Sequence, residues 1–180
     1  MIDEASSDPS ADDDSPSDVL TFMMGEFEAE FPVDRLYAKN HMWAQVEPES
    51  DSGKPSGGQT KVRFGFTSYA VRLLQDVYFL DWLTDAPAEL KQSQEIGSIE
   101  SKKAESALFA PAIGRLVEFN ERLMEDPSAI NTDKHGAGWL FDMEVESGAE
   151  SEFLSPAQYL ELLVDVWAKT QRTIKGQLND

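Results

Sequence analysis

The chain has 180 residues, long enough for one domain with a true core and some appendages, and carries 34 acidic against 15 basic residues, a formal charge of −19. That charge opposes binding to nucleic acid or an anionic membrane and favours basic protein surfaces, while also serving plain solubility. With no cysteine, disulfides, thiol nucleophiles and thiolate metal sites are excluded; two histidines, His41 and His135, leave little for a metal cluster; and no apolar run is long enough to span a bilayer.

Residues 1–18 are rich in Asp, Ser and Pro, with Asp12, Asp13 and Asp14 in a block. So few apolar groups cannot offset the entropy of ordering, which predicts a disordered acidic tail. Residues 19–31 change character. Leu20, Met23, Phe27 and Phe31 fall on one helical face that Gly25 weakens, so this apolar extension is expected as a short helix or irregular segment packed on the domain. Phe31-Pro32 through Tyr37 and then His41 to Glu47 are expected as an edge or sandwich strand, anchored by Trp43 and His41. Pro48, Gly53, Pro55, Gly57 and Gly58 then mark a long hairpin loop over 48–58. Thr60, Val62, Phe64 and Phe66 alternate with Lys61, Arg63 and Gly65 in the returning strand. Thr67 reads as the N-cap of a short helix over 68–74. In the next strand Val77, Phe79 and Trp82 are expected to face inward, with Tyr78 and Leu80 on the other side.

Apolar and small or polar residues alternate on both sides of 101–104, which predicts a β-hairpin with Ser101, Lys102, Lys103 and Ala104 at its tip. Taken alone, two exposed lysines in a turn are solubility groups. That is the reading composition favours; their setting, flanked by Glu100 and Glu105 in a very acidic chain, also suits an attachment point: a rigid base and a long side chain give a covalent cofactor both a fixed origin and reach.

Residues 115–119 read as a strand, 120–125 as a brief helix ended by Asp126-Pro127, and Trp139 and Phe141 as core residues pointing the same way along a closing strand. Ser155-Pro156-x-Gln158 combines a serine N-cap, proline at the first helical position and glutamine three after the cap. Tyr159, Leu162, Leu163, Val166, Trp167, Thr170 and Ile174 continue at helical spacing, so an amphipathic helix over 154–175 is expected to pack on the domain. Short strands and frequent turns predict a mostly β fold, a small flattened barrel or sandwich.

The string E-S-K-K-A-E-S-A-L-F-A-P at 100–111 resembles the lipoyl-lysine hairpin of the H protein of the glycine cleavage system, within the lipoyl and biotinyl carrier family. Further segments agree in order: His41-x-Trp43, G-F-T-S-Y-A at 65–70, the Asp76-Val77 pair, and Asn131, Asp133, Gly136, Gly138, Trp139. The chain departs from the pattern at Lys102, where an apolar residue is usual, at Gln75 and Ser93, where glycine is usual, and at His135, where an aromatic is usual.

The resemblance implies a barrel-sandwich hybrid over 32–147 with short helices and a longer C-terminal helix. It implies covalent lipoate on Lys103, with Lys102 as the second choice, in a recognition hairpin containing Glu100, Ser101 and Ala104. The implied activity is that of a non-catalytic shuttle. It carries the aminomethyl group of glycine and reducing equivalents among glycine decarboxylase (the P protein), the aminomethyltransferase (the T protein) and dihydrolipoamide dehydrogenase, after loading by lipoate attachment enzymes. A monomer in the cytoplasm, with no nucleic acid or membrane partner, is expected. Two other roles stay open: an H-like lipoyl carrier serving lipoate relay or another complex, and an unmodified interaction module. A biotin carrier is disfavoured because Lys103 lacks flanking methionines, and a self-contained enzyme because no spacing singles out an acid and base pair.

Overall fold

A computed structural model describes residues 18–48 and 58–177. Nearly all of the predicted acidic tail and of the 48–58 loop lies outside the described residues. The chain opens with β1 (Val19–Met24) and β2 (Phe27–Pro32), followed by β3 (Leu36–Tyr37), β4 (Met42–Val46), β5 (Gln59–Phe66) and helix α1 (Ser68–Leu74). Next come β6 (Val77–Trp82), β7 (Ala88–Leu90), β8 (Glu95–Ser101), β9 (Glu105–Phe109) and β10 (Gly114–Phe119). Short helices α2 (Arg122–Glu125) and α3 (Ala129–Thr132) lead to β11 (Phe141–Glu146) and the long α4 (Pro156–Gln177).

The fold is mostly β. A six-stranded sheet in the order β3-β4-β5-β11-β10-β7 faces a three-stranded sheet in the order β6-β8-β9, and every pairing is antiparallel. Val62, Phe64, Phe66, Leu116, Phe141 and Met143 from the larger sheet meet Leu80, Ile96, Ile99 and Leu108 from the smaller, which places the main core between the layers. Along β5 Val62 and Phe64 point into this core and are fully covered, while Arg63, on the opposite face, reaches the carboxylate of Asp142 at 2.8 and 2.9 Å.

The 19–31 segment differs from the helical expectation. It is a β-hairpin, β1 against β2, in which Gly25 takes φ 68° at the turn. Its period-3.6 match was accidental; Ala29 and Phe31, two apart on β2, are the side chains that are fully buried. They enter a second core with Tyr37, Trp43, Tyr69, Tyr159 and Leu163, formed where the hairpin and α4 cover the outer side of β3, β4 and α1. Gly65 makes that packing possible, since a Cβ there would fall inside the Trp43 indole.

Two inward assignments are also corrected. A bulge between Val77 and Phe79 shifts the phase of β6, so Leu80 is buried at 3% exposure and Phe79 faces solvent at 47%. Trp139 precedes β11 and is only partly covered, with the Arg63 guanidinium lying over its ring at 3.9 Å. The terminal helix begins as expected: Gln158 N–H donates to Ser155 Oγ at 3.2 Å, and Ser155 N–H donates to Gln158 Oε1 at 2.9 Å.

Candidate functional site

The β8 and β9 strands pair from Glu95 opposite Phe109 to Glu100 opposite Glu105, which leaves residues 101–104 as the connecting turn. Ser101 closes this turn. Its N–H donates to Ala104 O at 3.0 Å, its hydroxyl donates to the same oxygen at 3.0 Å, and Ala104 N–H donates back to the hydroxyl at 3.2 Å. Ser101 is accordingly buried, while Lys102, Lys103 and Ala104 are exposed and Glu100 is half-buried between Phe79 and Glu105 in the sheet.

The tip is also braced from outside. Lys102 N–H donates to Gln75 O at 3.1 Å and lies 3.3 Å from Asp76 O, and Lys102 Nζ donates to Asp76 Oδ2 at 2.7 Å. The Asp76 carboxylate raises the Lys102 pKa by hydrogen bonding and by charge. To deliver these contacts the backbone turns through Gln75 at φ 52° and Asp76 at φ 51°, both in the left-handed region. The two lysines are therefore not equivalent. Lys102 is tied down, whereas Lys103 forms no ion pair among the described residues.

Lys103 and Ala104 stand at the edge of an apolar groove of about 440 Å³. One wall is Ala70, Leu73 and Leu74 of α1, and the floor includes Met42, Ile99 and Leu108. Its few polar groups come from Asn40, His41 and Ser106, and no carboxylate lines it. Thr67 fixes the α1 wall by capping, accepting from Ala70 N–H at 3.2 Å. His41 takes φ 66° and sets its Nδ1 2.9 Å from the Tyr159 hydroxyl, which is in turn 3.1 Å from Thr67 Oγ1. Burial lowers the His41 pKa, so the ring at the groove is the neutral imidazole.

Sequence reasoning located the tip but missed Asp76 as the partner of Lys102, and missed the groove. Leu73 and Leu74 read as core residues of a short helix; nothing local marks them as facing Leu108, thirty-four residues away from Leu74 in the chain. Among the described residues no cluster of His, Asp and Glu is arranged to hold a metal ion, and no helix is long and apolar enough to cross a membrane.

The chain matches the glycine cleavage H-protein family model over residues 35–166. It is 35% identical over 136 residues to the glycine cleavage system H protein of Stenotrophomonas maltophilia, covering 75% of this chain and 95% of that one. To the H protein of Thermotoga maritima it is 36% identical over 124 residues, 69% of this chain and 90% of the relative. The crystal structure of a glycine cleavage system H protein from Mycobacterium marinum superposes with a TM-score of 0.57 at 35% identity, covering 75% of this chain and 98% of that one. A braced hairpin tip, the sheet order that presents it and the extent of these matches lead to one assignment: the chain belongs to the glycine cleavage H-protein family, the non-catalytic carrier component of that system.

Proposed function

We propose that Lys103 is the covalent attachment point of lipoate. The chain, loaded by lipoate attachment enzymes, then carries an aminomethyl unit and reducing equivalents among glycine decarboxylase, the aminomethyltransferase and dihydrolipoamide dehydrogenase, with residues 32–147 as the carrier barrel. The observation that supports Lys103 over its neighbour is the asymmetry of the pair: Asp76 holds Lys102 at 2.7 Å, and Lys103, at the groove edge, forms no ion pair among the described residues.

Attachment would form an amide as Lys103 Nζ, having given up its protons, displaces the leaving group from the lipoyl carboxyl carbon that the attachment enzyme has activated. When bound, the group supplies a disulfide that accepts a carbon unit and electrons together. The chain's own residues supply the rest. The 101–104 turn, closed by Ser101 and braced on Gln75, fixes where the arm starts, so tethering raises its effective concentration at each partner's active site. The groove beside it offers the apolar length of the arm a place out of water, lined by Leu73, Leu74 and Leu108 with neutral His41 among its polar groups.

Intact-mass measurement after co-expression with lipoate attachment enzymes tests the attachment site. One lipoyl group is expected on the native chain and on Lys102→Arg, and none on Lys103→Arg. An unchanged native mass, or a gain that survives Lys103→Arg, overturns the assignment. Reconstitution of the loaded chain with glycine decarboxylase separates the glycine role from service in another lipoyl-dependent complex.

A further inference from the structure

On the face of α1 turned away from the groove lies a second cavity, of about 360 Å³. Arg72, Lys102 and Lys134 line it together with a single carboxylate, Asp76, so three cations less one anion leave a net charge of +2 here, in a chain whose formal charge is −19. Asp76 is already bonded to Lys102 at 2.7 Å, while Arg72 and Lys134 form no ion pair among the described residues. Unneutralised positive charge in so acidic a protein favours an anionic occupant.

The neutral groups of the cavity add donors. Ser68 lines it at only 5% exposure, yet the hydroxyl has no hydrogen-bond partner among the described residues. A hydroxyl covered to that extent is ordinarily satisfied, and leaving it bare is unfavourable. Asn131 accepts from Val77 N–H and donates to Val77 O, both at 2.8 Å, which uses one of its two amide hydrogens and leaves the other unused. The frame is set beforehand: Trp43 Nε1 donates to Lys134 O at 3.0 Å, and the Arg72 guanidinium lies over the Phe27 ring at 4.6 Å.

We propose that this cavity is a binding site for a phosphate group, free or carried as a monoester, which Arg72 and Lys134 neutralise and to which the Ser68 hydroxyl and the Asn131 amide donate. Charge is the first reason. A phosphate monoester carries about −1.5 to −2 at pH 7, which matches the net charge of the lining, whereas a carboxylate matches half of it. Donor number is the second. Three strong acceptor oxygens can take up the guanidinium fork, the ammonium, the hydroxyl and the amide together, and a carboxylate has only two oxygens to offer. Phe27 and Val71 give the cavity an apolar side, where the organic part of a monoester fits. Bound there, the phosphate lies on the Lys102 and Asp76 side of the hairpin tip and leaves the Lys103 side open. The site is independent of attachment at Lys103.

Heteronuclear NMR of the full, unmodified chain tests this, with inorganic phosphate and adenosine monophosphate titrated separately at pH 7 and low salt. Saturable shifts are expected at Arg72 Nε–H, the Asn131 amide and Ser68 N–H. Ser68→Ala changes no charge and should weaken binding by about threefold to tenfold. Arg72→Gln should weaken it by about tenfold or more, with the amide spectrum elsewhere unchanged as the check on folding. Tighter binding of adenosine monophosphate identifies the monoester as the ligand, and equal affinities identify the free ion. Shifts that fail to saturate or that spread over exposed Lys39, Lys91 and Lys169, or an affinity indifferent to Ser68→Ala, would mean an adventitious ion only and overturn the proposal. Succinate binding as tightly as phosphate would overturn it too.

Discussion

His135 places an imidazole in a site that desolvates it and leaves its buried Nε2 without a hydrogen-bond partner. Burial is the main cause of its depressed pKa, about 4, helped by the charges of Arg35 and Lys134 and opposed by Asp133 and Asp34. Between that value and the ordinary 6.5 the unfolded chain binds the proton and the folded chain does not. Stability is therefore lost as pH falls through this window and levels off below it. A fully sequestered ring with that difference would contribute about 3 kcal/mol; for a half-buried one about 1–2 kcal/mol is expected. Urea titrations of the native chain and His135→Phe between pH 7 and 4 measure it: the variant should lose that much less on acidification, and parallel curves would refute the account. His41, also depressed by burial, titrates in both proteins and cancels in the difference. At this scale the sequence was legible wherever one residue type carries a backbone requirement. The usual glycines replaced by Gln75 and Ser93 do mark left-handed turns, at φ 52° and 61°. It was not legible at Phe79, because a bulge adds a residue without changing the alternation that strand patterns are read from.

Helix α4 is joined to the barrel by one side chain more than by any other. Tyr159 is fully buried, stacks on Tyr37 with centroids 4.7 Å apart, meets Phe31 edge-on at 5.4 Å, and links His41 to Thr67 through its hydroxyl. Burial pushes its own pKa up, so the hydroxyl stays protonated and available to both partners. Tyr159→Phe keeps the ring contacts and strands His41 Nδ1, while Thr67 Oγ1 keeps only its bond from Ala70 N–H, which should cost about 1–3 kcal/mol. The urea midpoint should drop with an unchanged slope, and a change under ~0.5 kcal/mol would mean that water replaces the hydroxyl. The start of α4 could be read from Ser155, Pro156 and Gln158 because capping is local chemistry. The β1 and β2 hairpin could not. Phe27 and Phe31 satisfy a helical spacing as well as a strand spacing, and the second core that decides, where Ala29 and Phe31 join Tyr159 and Leu163, draws on the far end of the chain.

Over the whole molecule, strands and turns were visible one by one, but their order in the sheet was not. β11 lies between β5 and β10, and β7 pairs with β10; the groove beside Lys103 likewise exists only once α1 and the β8 and β9 hairpin have been brought together. Charge, in contrast, is fully legible from composition, and it sets a competition that magnitudes can decide. Exposed pairs such as Lys102 with Asp76 add little to stability and are weakened by salt. Arg63 with fully buried Asp142 is screened much less. Against these stand 34 acidic residues and only 15 basic ones, and two like charges 10 Å apart repel by about 0.4 kcal/mol in water before screening. Folding draws the excess acids together, and unfolding relieves them, so repulsion should outweigh the exposed pairs. The melting temperature is thus expected to rise with sodium chloride from about 10 mM to 150 mM, as the Debye length shrinks from ~30 to ~8 Å. Calorimetry at pH 7 decides it: a falling melting temperature over that range would mean that the surface ion pairs, and not the excess of carboxylates, dominate the electrostatics of this carrier.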